Sequence, residues 1–290
     1  MSVVINKAGV VGAGFMGAEI AYCLATAFDG PMVVRDVSEE VLARALQNIS
    51  RLVAKAVEKG RLREDKKESF MQRLKFTTEM EDLRGADFVI EAVFEDVKVK
   101  QEVFRQLEEV CSPSAVLATN TSGLSITEIA SATKDPSRVI GTHFFSPASV
   151  MKLVEIVRGL QTSDNTLSIA REMCERMGKE TIVVKDVPGF LTTRVASALW
   201  LEAMRCLEEG VASAEDIDKG IRLGFNHAMG PLETSDFVGL DLCEHVFAHL
   251  TESYGERFRP PVTLGRMARA GWLGRRSGRG FKDYTSGQGR

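Results

Sequence analysis

The sequence is poor in residues that staple or chelate. Its five cysteines (Cys23, Cys111, Cys174, Cys206 and Cys243) are odd in number and never fall into a CxxC spacing. That argues against a disulfide framework or a structural zinc site, and predicts reduced, mostly buried thiols. Only four histidines are present. His245 and His249 stand four apart on an expected helix, but Val246 occupies the place where a zinc-protease motif needs glutamate, and no third ligand suggests itself. His227 lies in an expected loop, so no metal is expected. A basic excess is missing too: 37 Lys and Arg against 40 Asp and Glu leave a formal charge of −3. This argues against a nucleic-acid partner, while a local basic patch could still meet a small anion. No apolar run reaches the length of a membrane span. Residues 8–28, with Lys7 before them and Ala-Thr-Ala at 25–27, imitate a secretion signal, but Glu19 and the glycines at 9, 12, 14 and 17 interrupt it. A cytoplasmic protein without membrane contact is expected.

What is present is ordinary for a globular chain: 44% hydrophobic and 27% charged residues, over a length of 290 that favours two domains. Through the first two-thirds, β-rich runs at 8–11, 32–36, 88–92, 116–119, 139–142, 153–157 and 181–184 alternate with helical patterns at 15–28, 38–59, 97–110 and 164–177. Such alternation implies βαβ units in a mainly parallel, doubly wound sheet. The stretch 38–59 is long for a crossover, and 64–74 adds a second helical piece, so a helical hairpin projecting from the sheet domain is expected. Near Asp186-Val187-Pro188-Gly189 the pattern changes. Beyond it only helical signals remain, at 191–209, 213–223, 239–254 and 264–270, with Ser213 and Asp216 spaced as a near-capping box. Two domains follow, 1–185 and 186–290, the second all-helical. Residues 285–290 read as a disordered tail.

The run Gly12-Ala13-Gly14-Phe15-Met16-Gly17 follows the first strand and opens the first helix. Gly12 permits the tight turn, Gly14 lets backbone approach a pyrophosphate, and Gly17 lets helix pack on strand. The helix start at Phe15 and Met16 then faces the phosphates. The second strand ends in Asp36, 19 residues after Gly17, where a carboxylate binds ribose hydroxyls and repels the 2′-phosphate of NADP. Arg35 could accommodate that phosphate, but neighbours on a strand point to opposite faces, so NAD is the expected cofactor.

Two further stretches fall where a doubly wound sheet presents loops at its carboxyl edge: Glu91-Ala92-Val93-Phe94-Glu95-Asp96 with Lys98 and Lys100, and Asn120-Thr121-Ser122-Gly123. A charged helix start and a polar turn explain them equally well. His143, after the strand at 139–142, is a sharper signal because Glu155 is embedded in Leu153-Val154-Glu155-Ile156-Val157. A carboxylate inside an apolar strand is costly unless something pairs with it, and a histidine is an obvious candidate. A His–Glu pair at the cofactor edge is equipment for removing a hydroxyl proton as hydride leaves the same carbon.

Together GAGFMG at 12–17, the EAVFED stretch with its lysines, NTSGL at 120–124, HFFSPASVMKLVEIV at 143–157, DVPGF at 186–190, MGPLETSDFVGLD at 229–241 and the segment 274–281 resemble the L-3-hydroxyacyl-CoA dehydrogenases over nearly the whole chain. The resemblance implies an NAD-binding sheet domain, a helical domain that makes a homodimer, and acyl-CoA bound between the two. It makes His143 the catalytic base, Glu155 its orienting partner and Ser122 a hydrogen-bond donor to the substrate oxygen. Asp36, Glu95, Lys100 and Arg276 match NAD-contacting positions, Arg276 standing where lysine is usual, and Lys59 matches a lysine that meets the CoA nucleotide. Leu52 replaces a frequent serine beside that contact. Ser146 and Thr193 replace asparagines at cofactor- and substrate-facing positions; each keeps a hydroxyl but loses amide reach. The implied activity is reversible, NAD-dependent oxidation of a short-chain (S)-3-hydroxyacyl-CoA in fatty acid metabolism. The alternatives are a dehydrogenase of a non-CoA 3-hydroxy acid or a carrier-protein-bound hydroxyacyl group, and a retired NAD-binding structural protein.

Overall fold

The computed structural model describes residues 4–285; positions 286–290 of the expected tail lie outside the described residues. The chain divides into two compact units, Met1–Val187 and Pro188–Arg290, two residues beyond the division expected at 185/186.

Eight strands build the first unit: β1 (Ala8–Val11), β2 (Met32–Arg35), β3 (Leu74–Thr77), β4 (Phe88–Glu91), β5 (Val116–Thr119), β6 (Val139–Phe144), β7 (Leu153–Arg158) and β8 (Glu180–Lys185). They form one sheet in the order β3-β2-β1-β4-β5-β6-β7-β8. All neighbours run parallel except β6 and β7. The helices of this unit are α1 (Phe15–Ala27), α2 (Glu39–Glu58), α3 (Lys67–Gln72), α4 (Val97–Val110), α5 (Ile126–Ala130) and α6 (Asp164–Arg176). The central strands are buried along their whole length, as a sheet covered on both faces requires. Ile20, Leu24, Leu42, Ile49, Val53 and Ile169 pack from α1, α2 and α6 against Val10, Val34, Ile90 and Ile156. Each such side chain, fully buried, contributes on the order of 1.5–3 kcal/mol.

The expected hairpin is formed by α2 and α3. Ser38 caps α2 by accepting from Val41 N at 3.3 Å. Its stripe Leu42, Ala45, Ile49, Val53 and Ala56 recurs at helical spacing and is buried, so the long arm lies against the core along its length while its other face meets solvent.

Two elements of this unit had little local signal. Strand β3 follows α3 almost directly, stands at the sheet edge, and exposes Lys75. Helix α5 is five residues long and takes much of its cap from far away: Asp186, at the end of β8, accepts from Ile126 N (3.0 Å), Thr127 N (2.8 Å) and Ser125 Oγ (2.8 Å).

The second unit holds α7 (Thr192–Glu208), α8 (Ala214–Gly224), α9 (Pro231–Val238), α10 (Leu240–Tyr254) and α11 (Val262–Arg269) around Leu201, Leu232, Leu240, Phe247 and Leu264. Among the described residues it contains no strand, only isolated bridges at Gly274, Arg279 and Asp283. Gly189 (φ 72°) and Phe190 (φ 47°) turn the chain into α7 with two successive left-handed residues. Helix α9, not expected as a helix, opens on Pro231 and is capped by buried Asp218, which accepts from Leu232 N at 2.8 Å and Glu233 N at 3.1 Å.

Candidate active site

The phosphate-binding turn sits between β1 and α1. Gly12 adopts φ 94°, and a Cβ there would meet the Ala92 carbonyl at 2.5 Å. A Cβ on Gly17 would lie 1.7 Å from the Gly12 oxygen. The fold therefore demands both. Gly14 is different, since its backbone is extended and a Cβ would meet nothing within 4 Å. Neither backbone conformation nor packing explains this glycine, whereas the approach of a pyrophosphate does. Helix α1 carries no side-chain cap and no acid in its first turn, so its leading N–H groups suit a phosphate. Asp36 reaches the same turn, accepting from Ala13 N at 2.7 Å and Ser38 N at 3.1 Å. Arg35 is tied away, its Nε donating to the Thr78 carbonyl at 3.2 Å. These residues fit NAD.

Glu91 ends β4 with no exposed surface. It accepts from Lys100 Nζ (2.7 Å), Val93 N (2.6 Å) and Thr119 Oγ1 (2.7 Å). Burial pushes its carboxyl up, and the Lys100 ammonium opposes that shift. Lys100 also reaches Glu95 at 3.2 Å and the Val93 carbonyl at 3.5 Å, which occupies all its donors. Glu95 in turn accepts from Thr121 Oγ1 at 2.5 Å and Ser122 N at 2.9 Å. At 1% exposure Lys100 stands behind Glu95, which it aims. Sequence reasoning passed over Glu91, although an acid closing an apolar strand carried the same signal as Glu155.

His143 lies inside β6, not after it, because the strand runs on to Phe144. Antiparallel pairing sets it directly opposite Glu155 of β7. The two side chains meet on one face of the sheet, as cross-strand partners must. Nδ1 donates to Glu155 Oε2 at 2.7 Å, with the carboxylate fully buried and His143 6% exposed. With its proton on Nδ1, the neutral ring carries a lone pair on Nε2. Phe145 lies against the imidazole, ring centroids 4.7 Å apart. Asn120 Oδ1 accepts from Phe144 N at 2.9 Å, joining the Ser122 loop to the histidine strand.

Residues 7–187 match the family model for the 3-hydroxyacyl-CoA dehydrogenase NAD binding domain, and residues 189–284 match that of the C-terminal domain. The chain belongs to the 3-hydroxyacyl-CoA dehydrogenase family. It is 44% identical over 283 residues to a probable 3-hydroxybutyryl-CoA dehydrogenase of Bacillus subtilis, covering 97% of this chain and 98% of that protein. It is 40% identical over 286 residues to a 3-hydroxybutyryl-CoA dehydrogenase of Bradyrhizobium diazoefficiens, covering 98% and 97%. A crystal structure of (S)-3-hydroxybutyryl-CoA dehydrogenase from Ralstonia eutropha superposes with TM-score 0.93 at 37% identity, covering 98% of this chain and 100% of that one.

Within this member of the family the remaining expected residues are placed as follows. Ser122 is exposed on its loop, and Ser146 is exposed in the segment after β6, joined to Pro147 by a cis peptide. Lys59 is exposed at the C-cap of α2, and Leu52 is half-buried on the same helix. A cavity of about 550 Å³ runs between the phosphate turn and α2, lined by Gly14, Phe15, Arg44, Asn48 and Arg51 among others. In the second unit, Thr193 occupies the first turn of α7, half-buried. Arg276 is ion-paired with Asp241, whose carboxyl it holds below the usual range. His245 Nδ1 donates to the Asp241 carbonyl at 2.7 Å. Among the described residues no group of three His, Cys, Asp or Glu side chains could hold a metal, and no helix is long and apolar enough to cross a membrane. All five cysteines are free; burial pushes the Cys23 thiol up to about 11 and those of Cys111, Cys174 and Cys243 to about 12.

Proposed function

We propose that the protein is a cytoplasmic dehydrogenase that oxidises short-chain (S)-3-hydroxyacyl-CoA thioesters such as 3-hydroxybutyryl-CoA, reversibly, to 3-ketoacyl-CoA. The observation that carries this reading is the buried His143–Glu155 pair, on the same carboxyl edge of the sheet as Asp36 and the phosphate turn. NAD, when bound, supplies the hydride acceptor. His143 Nε2 takes the proton of the 3-hydroxyl as its carbon gives up hydride, so that O–H and C–H break and C=O forms. Glu155 holds the Nδ1–H and balances the charge the ring gains. The Ser122 hydroxyl donates to the substrate oxygen, on a loop held by Glu95 and, through it, Lys100. Ser146, in the segment following His143, faces the cofactor. Arg51, Lys55 and Lys59 line α2 with positive charge, which suits the phosphates of the CoA nucleotide. The helical unit exposes the apolar side chains Val211, Leu223, Phe225, Phe237 and Leu242, which a homodimer through this unit would have available to cover.

The test measures NADH formation by the purified full chain on 3-hydroxybutyryl-CoA, on free 3-hydroxybutyrate and on the carrier-protein thioester. The CoA thioester with NAD should give the highest kcat/KM. Preference for the free acid or carrier thioester moves the substrate class, and equal use of NADP removes Asp36 from the ribose.

A further inference from the structure

We propose that Lys179 and Glu19 are positioning residues for this reaction, clamping the segment 145–151 that leaves the histidine strand and carries Ser146. The proposal rests on the reading of His143 as base and Ser146 as a cofactor neighbour. Lys179 stands just before β8 and is 8% exposed; Glu19 is in α1 and 3% exposed. Lys179 Nζ donates to the carbonyls of Ala148 and of Met151, the latter at 2.9 Å. Glu19 Oε2 accepts from Ser149 N at 2.9 Å. Cys23, one turn on from Glu19 along α1, donates its thiol to the Ala148 carbonyl at 3.5 Å.

Two side chains that are expensive to bury as charges are thus spent on the backbone of one short run. The run does not need them to turn. Val150 N and Met151 N already close it on the Pro147 carbonyl, each at 3.0 Å. What the outside contacts add is location. Glu19 lies just over a turn into the helix whose N-terminus opens at Gly14, so the clamp ties the segment after His143 to the element that receives the pyrophosphate. The segment touches both ends of the reacting geometry, and a misplacement of about 1 Å in such an element can cost on the order of 10²-fold in rate.

The experiment compares Lys179→Met, Glu19→Leu and Glu19→Gln in the full chain, reading kcat, the Kd for NAD and Tm. Lys179→Met keeps the stem and removes every donor; Glu19→Gln keeps an oxygen for Ser149 N, and Glu19→Leu does not. Lys179→Met and Glu19→Leu should lower kcat by about 10–100-fold with NAD affinity held within about threefold, and Glu19→Gln should recover most of the loss. If both damaging variants lower Tm but keep kcat within about twofold, the cluster is only structural and the proposal is overturned. A parallel loss of NAD affinity also overturns it, because the residues would then act at the phosphate end. If Lys179→Met does not fold, the two Glu19 variants decide alone. Failure of the parent reading looks different: His143→Gln would then keep its activity while the Lys179 and Glu19 results stand as they are.

Discussion

Glu91 and Glu155 present the same physical problem three strands apart. Each sits near or within an apolar strand of one sheet, each is fully buried, and each would cost several kcal/mol if left alone. Glu91 is answered by the lysine of α4, a threonine hydroxyl and a backbone N–H. Glu155 is answered by a histidine placed opposite it by antiparallel pairing. A lysine whose donors are all taken makes a brace, which here holds Glu95 and so the Ser122 loop. A histidine oriented through its Nδ1 suits the role of base proposed for it. The difference in function lies in the partner's chemistry, since the two carboxylates are equally buried.

That contrast breaks if substitutions on the two sides have the same consequences. The largest effect should come from His143→Gln, lowering kcat by about 10³–10⁴-fold, and Glu155→Gln should lower it by about 10²-fold or more, with NAD affinity retained in both. A near-normal kcat in Glu155→Gln would mean that Glu155 does not serve His143.

Lys100→Met should show the opposite pattern. Stripping the brace of its cation should cost about 3 kcal/mol and roughly 6–12 °C in Tm, with kcat falling far less than in His143→Gln. A collapse of kcat at unchanged Tm would put Lys100 at the reacting groups after all.

A smaller effect separates the braced carboxylate by its titration. Burial raises the carboxyl of Glu91, so folding favours its protonated form. That contribution is full at pH below the ordinary carboxylate range and is lost as pH rises through the raised value. Glu91→Gln has no proton to lose, so its urea midpoint relative to wild type should improve between pH 4 and neutrality. A gap independent of pH would contradict the desolvation argument. The smallest effect belongs to Lys59, an exposed cation outside both networks. Lys59→Ala should raise KM for acyl-CoA by about 2–5-fold and leave kcat and Tm nearly unchanged. Equal loss with a substrate lacking the nucleotide would give α2 another role.

The sequence alone determined most of the sheet unit, because its signals are local. Apolar runs bounded by turns placed seven strands within a residue or two, and Gly12, Gly14, Gly17 and Asp36 declared the cofactor edge through spacing alone. It also singled out Glu155, because an acid in an apolar strand is anomalous wherever the partner lies. Tertiary structure decided the rest. The edge strand β3, half exposed and polar, and α5, capped by an aspartate that arrives at the end of β8, owe their form to neighbours distant in sequence. Lys100 was singled out by the family resemblance, but its burial and its pairing with Glu91 came only when the fold closed over it. The pairing of His143 with Glu155 depended on β7 running antiparallel to β6, with the register His143↔Glu155. No pattern within either strand specifies that register; a slip of one residue would turn Glu155 to the other face and leave two buried polar groups without each other.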